Sequence, residues 1–474
     1  MSVLAGFLAS LAAAFRRELR SAPGVPTIWR EAARAAGLEA IEESPDGLGA
    51  RAGPLRVRLE RLSGSGGRGT RITVSGPAMP AGLTVRPEGV VSAIRGSRGV
   101  REVEIGHDAF DAAAWVEGSP TLARAVLDSG NRKALRALLD GRLERPGHSP
   151  FWASGRLEDG VLEVEVPEVP PVARARGERV GGEEPGAPVY LGSHEHLGEV
   201  LTLAIALARR LATPADVPRR LAENLRSEPV AGVRLQVLTT LVREFPDEPA
   251  TRAALRAALE DPDAEVRLRA GTALGPEGRD VLLAIAGGEG APDGTTERAV
   301  AALGWNLTSG EAQAILRNAL RTRREATARA CLRALGHRRG AQVVPTLARV
   351  LAVEKPELAA VAAEALGTTG DASAERALLP ALGSPHAAVR LAAARALGRV
   401  GTTAAVLPLK EAETRDAEMR RTARQAIAEI QSRLTGAAPG QLSLAGGESG
   451  QLSLAEGEAG RLSLPEQERA GGPR

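Results

Sequence analysis

Four places in the sequence carry residue types at spacings that could do chemistry. His194-Glu195-His196 offers two imidazoles and a carboxylate to a metal. A metalloprotease-type helix needs its second His four residues after the first, and that position is Gly198. On a helix His194 and His196 also point about 200° apart at 3.6 residues per turn, so the cluster reads as a solvent-exposed helix start. Cys331 and His337 lie six residues apart, but Cys331 falls on a small-residue position of a helical pattern. An inert buried thiol is expected there rather than a nucleophile. His107, Asp108 and Asp111 could relay a proton, and a polar turn explains them equally well. The run GSGGRG from Gly64 to Gly69 matches the dinucleotide fingerprint letter for letter. That fingerprint works only where a strand ends and a helix begins. RVRLERL before it and TRITVSG after it are both strand-like, so a hairpin loop is expected and nucleotide binding is set aside. The sequence holds neither a Walker-type loop nor a Gly-x-Ser-x-Gly elbow. No catalytic residue, cofactor-binding residue or metal ligand is assigned, no cofactor is expected, and the chain reads as a non-enzyme.

Charge offers a different kind of site. Between Arg317 and Arg339 eight arginines face Glu325 alone, a net +7. Arg317, Arg321, Arg324, Arg329 and Arg333 are the partner-binding candidates of this run. Such a patch could hold an acidic protein partner or grip phosphates. No aromatic residue interleaves with the arginines for base stacking, which sets nucleic acid second. Arginine number alone says little, because 61 basic residues include only three lysines and 58 acidic residues balance them to a net +3.

The 474 residues exceed one hydrophobic core. Apolar residues make up 43% and aromatics only 2%, so the cores must be built from Ala, Leu and Val. A single cysteine excludes a disulfide framework and any Cys-rich zinc module. No segment has the roughly 20 apolar residues of a membrane span. The apolar stretch Ser2 to Phe15 is followed by Arg16, Arg17 and Arg20 rather than preceded by basic residues, unlike a signal peptide. It reads as an amphipathic or buried helix, and the chain is expected to be cytoplasmic.

Internal repetition organises the second half. A Leu-Gly pair ends an Ala-rich stretch at Leu274, Leu303, Leu335, Leu366 and Leu397, an almost even series along the chain. Leu241 and Ile430 extend the series at a similar interval on either side. About seven helix pairs therefore fit between 190 and 434. Asp261 or Ser384 is expected to cap a helix that begins at Pro262 or Pro385, and Gly275 and Gly398 are expected to end helices in a left-handed cap. Four residues before each landmark stand Val237, Ala270, Ala299, Cys331, Ala362, Ala393 and Ala426, mostly small, as close helix packing requires. Arg234, Arg267 and Arg390, seven before the landmark, are expected to reach carboxylates or carbonyls of an adjacent repeat.

EVRLRAGTALG and AVRLAAARALGRVG resemble HEAT repeats of the bacterial HEAT-like type, also called PBS-lyase-type repeats, over about half the chain. The resemblance implies an armadillo-type helical solenoid in a bacterial HEAT repeat domain-containing protein. Such solenoids serve as scaffolds, adaptors, nucleic-acid binders and a few enzymes. Deoxyhypusine hydroxylase is a HEAT-repeat enzyme of similar architecture that holds iron through several His-Glu pairs on different repeats. This chain has one such pair, so that activity is not expected.

The segment 1–166 reads differently. GLEAIEE, LGARAGPLRVRLERL, TRITVSG, GLTVRPEGV and REVEIG alternate apolar and polar residues as a half-buried antiparallel sheet does. A helical stretch over 119–141 and a last strand, VLEVEV, follow. In VEIGHDAFDAAAWVEG, Gly106, Phe110 and Asp111 resemble a Gly-x-x-x-Phe-Asp pattern of bacterial proteins that precedes a strand and a helix. The expected organisation is multidomain: an N-terminal α+β domain over 1–166, a Pro/Gly-rich linker over 167–189, an all-α HEAT-like superhelical solenoid over 190–434, and a disordered tail over 435–474. The tail repeats Leu-Ser-Leu three times at ten-residue spacing, which suits a multivalent ligand. The function expected from the whole is a scaffold or adaptor that binds a protein partner through its repeat surface, with nucleic-acid binding through Arg317 to Arg339 as the alternative.

Overall fold

The structure, a computed structural model, describes residues 25–44, 47–64, 67–88, 102–144, 148, 150–167, 194–288, 290–338, 340–414, 416–433, 442–444 and 452–454. The stretch Ser2 to Phe15, the segment 168–189 and most of the repetitive tail lie outside them. The described chain falls into two compact units, one closing at Ala258 and the other opening at Leu259.

The first unit is an antiparallel sheet with helices. Its strands are β1 (Glu39–Ser44), β2 (Gly47–Ala52), β3 (Leu55–Gly64), β4 (Gly67–Ser75), β5 (Thr84–Pro87) and β6 (Ala114–Glu117). A separate two-stranded pair, β7 (Arg142–Leu143) and β8 (Phe151–Trp152), precedes β9 (Ser154–Glu158) and β10 (Val161–Pro167). The eight-stranded sheet runs β1-β2-β3-β4-β10-β9-β5-β6. Alternation dictates its two faces. Val57 pairs with Val74 and Val74 with Leu162, while Leu59 pairs with Ile72 and Ile72 with Val164; all six are buried. On the opposite face Arg71 meets Glu165 at 2.7 Å and Arg156 meets Glu163 at 2.7 Å.

Two local expectations change. REVEIG makes only an isolated bridge, Glu102 to Glu117, and the strand at that edge is β6. Ala114, Trp115 and Val116 are consecutively buried, so β6 is covered on both faces and shows no alternation for the sequence to reveal. The stretch 119–141 forms two helices, α2 (Pro120–Val126) and α3 (Ser129–Leu139): Leu127 leaves helical geometry after the first, and Asp128 caps the second by accepting from the Asn131 N–H at 2.8 Å.

Helices α1 (Val25–Ala35), α4 (His194–Arg210), α5 (Val217–Ser227), α6 (Ala231–Glu244) and α7 (Pro249–Ala258) complete this unit. The first helices of the repetitive half are thus packed with the sheet. One guanidinium nitrogen of Arg132 on α3 donates to both carboxylate oxygens of Glu228 after α5 at 2.8 Å, with side chains 4% and 2% exposed. Asn224 donates to the carbonyls of Arg124 and Ala125, both at 3.0 Å, and Arg124 donates to Thr240 at 2.8 Å.

The second unit is helical throughout its core: α8 (Ala264–Leu274), α9 (Arg279–Ala286), α10 (Asp293–Leu303), α11 (Ser309–Arg321), α12 (Glu325–Gly336), α13 (Val344–Val353), α14 (Pro356–Thr368), α15 (Glu375–Ala381), α16 (Ala387–Val400), α17 (Val406–Ala412) and α18 (Ala417–Arg433). A continuous hydrophobic core runs from Ala264 to Ile430. The landmark residues lie in α8, α10, α12, α14, α16 and α18, and from α10 onward each of these packs directly on the next. Ala299, Cys331, Ala362 and Ala393, four residues before the landmarks, are 0% exposed.

The Leu-Gly pairs do two jobs. Gly275 and Gly304 follow the last helical residue with φ of 59° and 48°, and end their helices. Gly398 does not: α16 continues to Val400. There the missing Cβ makes room, since one built on Gly336, Gly367 or Gly398 would lie 2.8, 2.7 or 3.0 Å from the Cα of Ala365, Ala396 or Ala426 in the next repeat. The caps also move by two residues. Asp263 and not Asp261 caps α8, accepting from Glu265 and Val266, while His386 takes the cap position of α16 and the Ser384 hydroxyl accepts from the His386 N–H.

Arg234, Arg267 and Arg390 find carbonyls, but of their own repeat. Each donates to the residues six and five before it: Glu228 and Pro229, Asp261 and Pro262, Ser384 and Pro385, at 2.8–3.2 Å. They clamp the proline turn that opens their own helix; Arg390 also approaches Asp416 of the next repeat, at 3.6 Å. In the tail, Leu442–Leu444 pairs antiparallel with Leu452–Leu454. Among the described residues no helix is long and apolar enough to cross a membrane.

Candidate functional site

The chemical candidates of the first unit are tied into its packing. His196 is half-buried with its ring 5.9 Å from that of Phe151, edge to face, rather than exposed to solvent. Gly198, where a zinc helix would place its second imidazole, lies against α1: a Cβ there would sit 3.2 Å from Ala35 Cβ and 3.3 Å from the Ala32 carbonyl. The Asp111 carboxylate accepts the backbone N–H groups of Ile105, Gly106 and His107 at 3.2, 2.9 and 3.0 Å, and His107 Nδ1 accepts from Phe110 N–H. Gly106 takes φ +92° where the Gly232 carbonyl leaves no room for a Cβ, and Phe110 is buried. The Gly-x-x-x-Phe-Asp pattern is therefore a folded turn. Gly64 pairs with Gly67 across β3 and β4, so the Gly-rich run is a hairpin with Ser65 and Gly66 outside the described residues. Among the described residues no three His, Cys, Asp or Glu side chains gather.

Cys331 sits on α12 at 0% exposure, and burial pushes its thiol up to about 12. A thiol so far above neutral pH carries almost no thiolate.

The arginine run divides when folded. Arg317 and Arg321 are exposed on α11, Arg329 and Arg333 are exposed on α12, and Arg323 and Arg324 fill the turn between. Arg324 is half-buried and donates to the Gly288 carbonyl of the preceding repeat at 3.2 Å. Arg321 donates to Asn318 at 2.6 Å and Arg329 to the Glu325 carbonyl at 3.4 Å. Glu325 is bound by Lys355 at 2.6 Å, whose hydrogen bond and charge hold its carboxyl below the usual range. Arg338 reaches back to the carbonyls of Gly304 and Leu307 and, at 2.8 Å, of Trp305, closing the end of α10. Arg339 lies outside the described residues.

Folding brings Arg333 together with residues that the run does not contain. A groove of about 320 Å³ crosses α12, α14 and α16, lined by Arg333, His337, Glu364, Arg395 and Arg399 above an alanine-rich floor. A second, of about 380 Å³, crosses α10 and α12; it shares Arg333 and His337 and adds Glu297, Trp305 and Arg338. The guanidinium groups of Arg333 and Arg399 make no hydrogen bond or ion pair among the described residues, and Arg395 stands 3.9 Å from Glu364. Trp305 is 77% exposed, with Arg338 over its ring at 5.8 Å and His337 at 6.3 Å between ring centroids.

Sequence reasoning missed Trp305, Arg395 and Arg399. The available signal was Trp305 itself, one of four tryptophans, placed directly after Gly304 at a helix end and outside any apolar periodicity.

Residues 351–428 match the family of HEAT repeats. No curated protein matches the chain. Among solved structures the chain is similar to human deoxyhypusine hydroxylase in complex with glycerol, at 17% identity and a TM-score of 0.21, covering 46% of this chain and 98% of that one. An engineered protein is similar at 22% identity and a TM-score of 0.22, covering 46% and 89%.

Proposed function

We propose that the chain is a non-enzymatic scaffold or adaptor that binds a protein partner through the surface of its HEAT-like helices. The observation that carries this reading is the pair of shallow, connected grooves across α10, α12, α14 and α16, where Arg333 and Arg399 stand without partners among the described residues beside an exposed Trp305. HEAT repeats commonly mediate protein interactions, and residues 351–428 match them. Of the five arginine candidates, Arg329 and Arg333 belong to the groove-bearing helix layer; Arg317 and Arg321 belong to the first-helix layer, and Arg324 ties two repeats together.

A second reading, nucleic acid held by Arg317 to Arg339, gains one observation: Trp305 supplies next to Arg338 the aromatic face that the run itself lacks. Purification of the tagged full chain from its host, with and without nuclease, separates the two. A protein retained after nuclease, and released by Arg329→Glu with Arg333→Glu, supports the adaptor. Loss of all bound protein on nuclease treatment, with an affinity that falls steeply as salt rises, supports nucleic acid instead.

A further inference from the structure

We infer that the surface around Trp305 is a docking groove for an acidic peptide segment carrying one aromatic or aliphatic anchor. The inference rests on the protein-binding reading above and gives the partner its chemistry. Trp305 exposes 77% of its surface in a chain with 2% aromatics, and tryptophan is among the residue types that most often carry the binding energy of an interface. The segment that carries it is tethered before any partner arrives. Arg338 donates to the carbonyls of Gly304 and Trp305, its guanidinium lies over the indole ring, and both side chains line the groove. A preformed anchor site of this kind avoids the ordering cost that weakens flexible surfaces.

Charge selects the rest of the ligand. Arg333 and Arg399 have no partner within the described residues, and an unpaired guanidinium fork fits a carboxylate through two parallel hydrogen bonds. Val300, Ala301, Ala330 and Ala334 give the Trp305 end an apolar floor, as a side-chain anchor needs. Glu297 and Glu364 stand in the same walls. Two carboxylates among the cations oppose a continuous row of phosphates, whereas a peptide can place neutral residues opposite them. These features favour an acidic peptide over a nucleic acid.

The test uses the full chain and a degenerate library of short fluorescein-labelled peptides, each with four glutamates and one Phe, Leu or Trp, read by fluorescence anisotropy. A library with lysine in place of glutamate and a single-stranded DNA of matching length serve as the other arms. The acidic library is expected to bind; Trp305→Ala and the double variant Arg333→Gln with Arg399→Gln are each expected to weaken it at least tenfold. Arg333→Lys with Arg399→Lys should restore part of the loss, because charge is kept while the fork is removed. All these side chains are exposed or solvent-facing, and an unchanged unfolding midpoint checks that the variants fold. Equal binding by wild type and Trp305→Ala, equal binding of the lysine library, no binding of the acidic library, or tighter binding of the DNA would overturn the inference. If a host partner is retained after nuclease and survives the Trp305, Arg333 and Arg399 substitutions, the scaffold reading stands and the groove falls.

Discussion

The two units of the molecule solve the same problem, fixing one helix against the next element, by different means. In the first unit the contact between the sheet-bearing segment and the helices after it is directional: Arg132 and Glu228 pair at 2.8 Å with both side chains buried, and Asn224 satisfies two carbonyls. In the second unit, contacts between α12, α14, α16 and α18 rest on absent side chains, with Gly336, Gly367 and Gly398 admitting Ala365, Ala396 and Ala426. Unlike surfaces meet once, so hydrogen-bonding partners specify the match. Like surfaces meet repeatedly, so one glycine–alanine fit can be reused from repeat to repeat, with polar contacts added at the helix ends.

The largest test of this contrast is Glu228→Ala, which leaves the Arg132 guanidinium buried without its carboxylate. It should cost about 3–5 kcal/mol in urea unfolding of the first unit, while Arg132→Met combined with Glu228→Leu should recover most of that. If the double variant is no better than the single, the pair adds stability beyond specificity. Next comes Gly367→Ala. In an open helix this change stabilises by about 0.5–1 kcal/mol, yet here the new methyl would meet Ala396 Cα at 2.7 Å and should destabilise by about 1–3 kcal/mol. Gly310→Ala on α11, with nothing within 4 Å, supplies the opposite sign as control.

A smaller effect is expected where polarity enters the second unit. Asp293, the first residue of α10, accepts from the backbone of Ala326 at 2.9 Å and of Thr327 at 3.0 Å, capping α12 of the next repeat. Burial alone would raise its carboxyl, but these bonds, the Thr327 hydroxyl and Arg324 outweigh it and hold the group below its ordinary value. Asp293→Ala should cost about 0.5–2 kcal/mol. Because the folded value is depressed, the wild-type advantage is full above the unfolded value near about 3.9 and fades as pH falls through the folded one. Unfolding midpoints of the two proteins should therefore converge only below about pH 4. Arg317→Ala, exposed and unpaired among the described residues, should change stability by no more than about 0.5 kcal/mol.

The near-even spacing of the Leu landmarks was enough to place the second helix of each repeat, because a buried apolar residue recurs whenever an identical surface is stacked. What the spacing could not say was how each helix ends. Leu-Gly is the same dipeptide at 274–275, where Gly275 turns at φ 59°, and at 397–398, where Gly398 stays helical; the choice depends on whether an alanine approaches from the next repeat. Arg267 was legible as a carbonyl donor, but its address was not, since a short reach back to Pro262 and a jump between repeats leave the same letters in the sequence. The grooves were least legible of all. Arg333, Arg395 and Arg399 belong to different repeats, and only the stacking of α12, α14 and α16 brings them to one surface.

Cys331 carries a consequence of its own. It is the chain's single thiol, 0% exposed and pushed up to about 12, so alkylating reagents cannot reach or activate it while α12 remains packed. Each opening of that layer exposes one thiol and no other. The intact mass of the protein after timed exposure to iodoacetamide therefore gives the fraction of molecules whose second unit has come apart at least once, and the protein is its own one-shot recorder of breathing.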